Sequence, residues 1–266
     1  MPDYSAKKTV MVAFFVCIVC SILVSAAAVS LRGIQEENRT LDRIRNILLA
    51  GDLLADNTDI GMMYQKKVRP VMIKLSTGNR VPVDNYTEVL NIDDFDIRTM
   101  AGDAVYGRKV PADTDTAGIN RMPKYMPVYF IEENGKTEKV VLPVYGKGLW
   151  STMFGFMALG NDLTTVKGFT FYDHAETPGL GGEVDNPRWK ESWNGKQIFD
   201  EQGNMKIKVI KGRVDAELPE AKYQIDGLSG ATLTSRGVDN LVTFWLGENG
   251  YGPLLKRLRE ELHGQI

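Results

Sequence analysis

Val128-Tyr129-Phe130-Ile131-Glu132-Glu133-Asn134-Gly135-Lys136-Thr137-Glu138-Lys139-Val140-Val141-Leu142 sets two apolar runs, rich in β-branched and aromatic residues, on either side of an Asn-Gly pair. Asn and Gly both tolerate positive φ, as a two-residue hairpin turn requires, so the stretch predicts an antiparallel hairpin. A second hairpin is expected downstream, from Met157–Leu159 through a turn at Gly160-Asn161 to Val166–Tyr172. Lys206-Ile207-Lys208-Val209 alternates polar and apolar residues, as a half-buried strand does. Helices are expected from Asn186-Pro187, an Asn cap with Pro at the first helical position, from Thr232 to Leu246, and from Pro253 to Leu262. Val238, Leu241, Val242 and Trp245 form one stripe on the second of these. Strands and helices are partly segregated, and no internal repeat is visible. The expected class is α+β, an antiparallel-rich sheet with flanking helices.

Upstream of the hairpin the signals weaken. From Thr58 to Gly118 the chain is polar and poorly periodic, with short apolar pieces such as Val71-Met72-Ile73, and no function can be read there. Gln35–Leu54 carries apolar residues at helical spacing, weakened near its end by Gly51 and Asp52. Before it, Thr9 to Leu31 is 23 residues without a charge. At 1.5 Å per residue such a helix is about 34 Å long, enough to cross a bilayer core of about 30 Å. Small residues at Ser25-Ala26-Ala27-Ala28 suggest a cleavable signal as the rival, but the apolar run continues to Leu31 and favours an uncleaved anchor. Lys7 and Lys8 precede the span, whereas Arg32, Arg39, Arg43 and Arg45 follow it, so charge alone leaves the orientation open. Signal-anchor behaviour ahead of a long trailing domain suggests the amino terminus inside. The expected organisation is a short cytoplasmic tail (1–8), a transmembrane helix (9–31) and an extracytoplasmic domain (32–266).

Composition narrows the function classes. Of 266 residues 43% are hydrophobic and 25% charged, which excludes a disordered chain, a collagen-like repeat and a polytopic membrane protein. Against 34 acidic side chains stand 32 basic ones, so the chain has no electrostatic footprint for nucleic acid. Two His and two Cys make a thin inventory for a zinc site, and no metal is expected. Cys17 and Cys20 have CxxC spacing but lie within the apolar span, so the globular part has no cysteine and no disulfide.

Asp226-Gly227-Leu228-Ser229-Gly230-Ala231-Thr232-Leu233-Thr234-Ser235 is the stretch that bears on chemistry. Small residues and hydroxyls lead into a helix whose first amides have no intrahelical partner, and such an end binds anions. Ser229, Thr232, Thr234 and Ser235 offer donors to phosphate oxygens; the plainer reading is a hydroxyl cap on an ordinary helix. Two further loops stand out. His174-Ala175-Glu176-Thr177-Pro178-Gly179-Leu180-Gly181 is a Gly-Pro loop after a strand, and Gly146-Lys147-Gly148-Leu149-Trp150-Ser151 sets a Trp beside glycines.

Taken together, the three stretches resemble the FMN-binding domain family found in the C-type subunit of sodium-translocating NADH:quinone oxidoreductases and in the G-type subunit of the related Rnf complexes. The resemblance covers the span and about residues 128–246, the expected FMN-binding region. It implies a Thr in the SGAT-type sequence esterified to FMN phosphate, here Thr232 within Ser229-Gly230-Ala231-Thr232, with Asp226 opening the motif read by a flavin transferase. It also implies a flavin ring near Trp150 and the loop Glu176, Thr177, Gly179, Leu180 and Gly181. In that picture Leu180 gives an apolar contact, Gly179 and Gly181 give clearance, and Glu176 bonds the ribityl chain or ring edge. His174 is expected to be structural, and Asp185, Arg188 and Glu191 to be a solvated helix face. Lys211 faces either a phosphate or solvent. The implied protein is an electron-transfer subunit with no catalytic acid or base of its own, acting in a complex that oxidises NADH, reduces ubiquinone and moves sodium. Its partners would be other subunits, the transferase and membrane lipid, and its place the bacterial inner membrane with the domain in the periplasm. The length and the extra region before residue 121 favour the sodium-pump protein. An Rnf-type carrier and a non-redox, anchored phosphate-binding module remain open.

Overall fold

The Asn134-Gly135 turn closes the hairpin with φ of 52° and 75°, so both residues take the left-handed conformation that their chemistry permits. A computed structural model describes residues 6–55 and 59–263. The chain divides into two units, Met1–Arg43 and Ile44–Ile266. The described part of the first is helical and solvent-exposed. It belongs to α1 (Ala6–Ala50), which also contributes the opening turns of the second unit. The expected span and the expected helix after it are therefore one helix, which stops at Ala50 rather than Leu54. Asp52 turns left-handed (φ 54°), while Leu53 N–H donates to the Leu48 carbonyl (2.9 Å) and Asp52 N–H to that of Leu49 (3.1 Å), a Schellman stop.

Within the second unit the elements are α2 (Ile60–Lys67), β1 (Val68–Lys74), β2 (Asn79–Arg80), α3 (Ile97–Gly102), β3 (Gly107–Lys109), β4 (Arg121–Pro123), β5 (Tyr125–Glu133), β6 (Lys136–Lys147), β7 (Thr152–Gly160), β8 (Val166–Asp173), α4 (Pro187–Glu191), β9 (Lys208–Val209), β10 (Gln224–Ile225), α5 (Thr232–Leu246) and α6 (Gly252–His263), with short 3-10 turns between. The six-stranded sheet has order β2-β1-β5-β6-β7-β8. All its pairs are antiparallel. β5 to β8 are the two expected hairpins joined into a meander, and the class is α+β as expected. The segment expected to be featureless supplies β1, which pairs with β5 over its whole length. Residue 58 lies outside the described residues. The Lys206–Val209 strand shrinks to β9, paired in parallel with β10.

Each face of the sheet is covered. On one, Ile47, Leu48 and Ala50 of α1 pack with Tyr129, Ile131, Val141, Phe156 and Ala158. On the other, Val238, Leu241, Val242 and Trp245 of α5 pack with Val140, Leu142 and Val144. A Cβ on Gly237 would sit 2.5 Å from the Lys147 carbonyl oxygen, so glycine lets α5 lie against the end of β6. That contact brings the start of α5 to the end of the sheet where the β6–β7 turn and the exit of β8 emerge.

Candidate functional site

The three stretches singled out in the sequence meet at this end. Glu176, in the His174–Gly181 loop, bonds both of the others. Its carboxylate, buried at 5% exposure, accepts from the amides of Trp150 (3.0 Å), Leu149 (3.2 Å) and Ser151 (3.3 Å) and from the Thr234 hydroxyl (2.6 Å). Burial pushes the Glu176 carboxyl up, but the Thr234 hydroxyl and the three amides outweigh it and hold the group below its ordinary value. Hydrogen bonds to an ionised group are the strong ones, so the 148–151 turn and α5 are fastened through one charge. The turn is closed further by Gly148 N–H to the Ser151 carbonyl (2.8 Å), and Ser151 Oγ accepts from Ala175 N–H (2.8 Å).

Two glycines are required by this carboxylate. A Cβ on Gly148 would stand 2.5 Å from Glu176 Oε1, and one on Gly181 2.5 Å from Thr234 Oγ1 and 2.8 Å from Glu176 Oε2. Gly181 therefore gives clearance, but to Thr234 and Glu176. Gly179 differs: its surroundings are open and its φ is 75°, the left-handed conformation that glycine adopts freely. Leu180, 46% exposed, also reaches the Asp226–Ser235 stretch, for its Cδ2 lies 3.0 Å from where a Cβ on Gly230 (φ 72°) would be. Thr177 is exposed, and its carbonyl accepts from the amides of Leu180 (3.1 Å) and Gly182 (2.8 Å), which folds the loop back.

His174 is structural in its contacts. Its Nδ1 accepts from Glu176 N–H (3.2 Å), while Nε2 bonds Asp185 Oδ2 (2.7 Å). Asp185 also pairs with Lys190 (3.0 Å), so it joins this network while remaining solvent-exposed, as expected of a solvated face.

The four hydroxyls around the start of α5 part company. Thr234 and Ser235 are buried, and neither is free for an outside phosphate. Thr234 donates to Glu176, and Ser235 Oγ accepts from Leu228 N–H (2.9 Å). Ser229 and Thr232 are exposed. Ala231 occupies the N-cap, no side chain caps the helix, and no acidic residue lies in its first turn. The amides there keep the anion affinity of an open helix start. Asp226 holds the preceding segment: Oδ1 accepts from Val214 N–H (2.7 Å), and its carbonyl from Trp189 Nε1 (2.9 Å). Lys211 is exposed beside Gly212, whose carbonyl accepts from Gly227 N–H (2.9 Å).

Leu149, Trp150 (67% exposed), Leu180 and Leu233, carried on the segments joined here, present apolar side chains to solvent. A group with an apolar planar ring at one end and a phosphate at the other matches this donor set. FMN fits the residues present.

The sequence pattern of the FMN-binding domain matches residues 148–247. The chain is similar to the C-type subunit of the Na(+)-translocating NADH-quinone reductase of Pseudomonas aeruginosa, 43% identical over 259 residues, 96% of this chain and 97% of that one. It is likewise 43% identical to the corresponding Yersinia pestis protein, over 96% of this chain and 94% of that one. Among solved structures, NqrC of Shewanella oneidensis superposes with a TM-score of 0.75 at 33% identity, over 84% of this chain and 99% of that one.

Proposed function

The chain belongs to the NqrC family, the C-type subunits of the Na(+)-translocating NADH-quinone reductase, and on that premise we propose that it is a membrane-anchored electron-transfer protein whose FMN is esterified through its phosphate to Thr232. The contrast among the four hydroxyls carries the attachment, since Thr234 and Ser235 are occupied and buried whereas Thr232 is exposed at the first position of α5. Ser229, also exposed, lies before the helix. An ester on Thr232 sets its phosphate against the open first-turn amides, with Ser229, Gly230 and Ala231 allowing close approach. The Gly212 carbonyl bonds the Gly227 amide, which puts exposed Lys211 beside the segment leading into α5, and in this reading it adds positive charge there.

Bound FMN supplies the redox chemistry; the chain supplies attachment, packing and electrostatic environment. Trp150 and Leu180 offer apolar surface to the ring, Thr177, Gly179 and Gly181 shape the loop that carries Leu180, and Glu176 and Thr234 hold the turn and the helix together. The NADH oxidation, quinone reduction and sodium transport of the complex belong to the assembly with its other subunits. A flavin transferase reads the motif opened by Asp226 during maturation.

Among the described residues one helix is long and apolar enough to cross a membrane. We assign 9–31 to a single crossing of the inner membrane among lipid, with 1–8 in the cytoplasm and 32–266, including the FMN region, in the periplasm. Covalent linkage keeps the flavin in a compartment without a ready supply. Protease added to intact spheroplasts is expected to degrade the domain; resistance there with digestion in inverted vesicles would reverse the orientation.

Flavin fluorescence on a denaturing gel tests the attachment. Wild-type and Thr234→Val protein are expected to fluoresce and Thr232→Val to be dark. A bright Thr232→Val band beside a dark Thr234→Val band would move the ester to the other hydroxyl.

A further inference from the structure

Glu176 was expected from the resemblance to touch the flavin, yet its geometry assigns it a different task. Both carboxylate oxygens are occupied, Oε1 by the amides of Trp150 and Ser151 and Oε2 by the amide of Leu149 and the hydroxyl of Thr234. The group is buried, and it fits there only because positions 148 and 181 are glycines, where a Cβ would stand 2.5 and 2.8 Å from its oxygens. It grips the backbone of exposed Trp150 on one side, and on the other the residue two positions beyond Thr232. No lysine, arginine or histidine pairs with it among the described residues, so its charge is balanced by hydrogen-bond dipoles alone.

We propose that Glu176 is a positioning residue with two effects. Its carboxylate braces the 148–151 turn against α5, and its unpaired charge holds the reduction potential of a flavin packed on that turn below the value a neutral side chain would allow. This rests on the assignment of FMN to Thr232. Reduction adds electrons to the ring, and a fixed negative charge in a region of low dielectric opposes that addition.

Glu176→Gln separates the effects. The amide oxygen keeps the bonds from Trp150 and Ser151, and the Thr234 hydroxyl reverses to accept from the new NH₂; the Leu149 bond and the charge are lost. Glu176→Ala removes the brace as well. In full-length Thr232→Val protein, which needs no flavin, adding Glu176→Ala is expected to speed amide exchange at Leu149, Trp150 and Ser151 by about tenfold, because bonds to an ionised acceptor are the stronger class. Unchanged exchange would overturn the brace. In labelled full-length protein, Glu176→Gln is expected to raise the flavin midpoint potential while leaving the helical circular dichroism unchanged. A potential equal to or below wild type would overturn the electrostatic effect. Absence of covalent flavin from wild-type protein would be a failure of the Thr232 assignment; it would remove the electrostatic effect with it, and the exchange experiment would still decide the brace.

Discussion

α3 and α5 begin in opposite ways. At α3, Asp96 caps the helix: its Oδ1 accepts from the Thr99 amide and the Thr99 hydroxyl, each at 2.7 Å. At α4 the cap is Asn186, accepting from Arg188 N–H at 3.0 Å. α5 begins at Ala231 with no side-chain cap, although Ser229, Thr232, Thr234 and Ser235 surround it. Where a helix only supports the fold, the chain satisfies the first amides itself. At α5, where the phosphate is proposed to sit, the hydroxyls are turned inward or left exposed, and the amides are left open.

Closing the open end should have the largest effect. Ala231→Asp would place a carboxylate over the first-turn amides and beside the phosphate position. Covalent labelling should slow by up to about fivefold, since a charge at a helix terminus is worth up to about 1 kcal/mol. Labelling at the wild-type rate, timed by in-gel fluorescence, would mean that the open amides play no part. Opening the closed end is the converse. Asp96→Ala should cost about 1 kcal/mol of stability, read as a lower urea midpoint, and leave labelling unchanged.

A third effect separates the ends by pH. The Glu176 carboxyl is held below its ordinary value in the folded protein, so its stabilising contribution is complete above the unfolded value of about 4.3. It declines as pH falls through that value toward the folded one. The stability difference between wild type and Glu176→Gln should therefore be largest near neutrality and shrink on acidification. A difference that grows toward low pH in urea titrations would contradict the assignment of the charge. The smallest effect is expected from Leu180→Ala, which exposes the ring to more water and should shift the flavin absorption band slightly with labelling intact. An unchanged spectrum would remove Leu180 from the ring site. Gly179→Val is a poorer probe, because φ of 75° would strain any β-branched residue.

Local chemistry explains which features are legible in the sequence. Asn134-Gly135 announces its hairpin because few other pairs accept two positive φ values, and the α5 stripe announces the helix because Val238, Leu241, Val242 and Trp245 keep helical spacing over about two turns. β1 is hidden for a physical reason. Val68-Arg69-Pro70-Val71 carries a proline, whose missing N–H weakens the strand signal. β2 pairs only with Ile73 and Lys74, so Pro70 sits on an edge and bonds only toward β5. The three site motifs are visible as stretches, and the fold brings them together. Which way each side chain faces is not visible. Thr232 and Thr234 look equivalent as donors in the sequence; the helical turn sends one to solvent and the other onto Glu176. Glu176 itself looks like a ligand contact, because the amides it holds lie some 25 residues away in the chain.

The most direct test of the open helix start as the flavin anchor is tandem mass spectrometry of the peptide containing Asp226–Arg236 from protein matured with its flavin transferase. The account predicts an FMN phosphoester on Thr232, with Ser229, Thr234 and Ser235 unmodified. An ester on Thr234 or Ser235, or flavin that leaves the peptide entirely on denaturation, would contradict it.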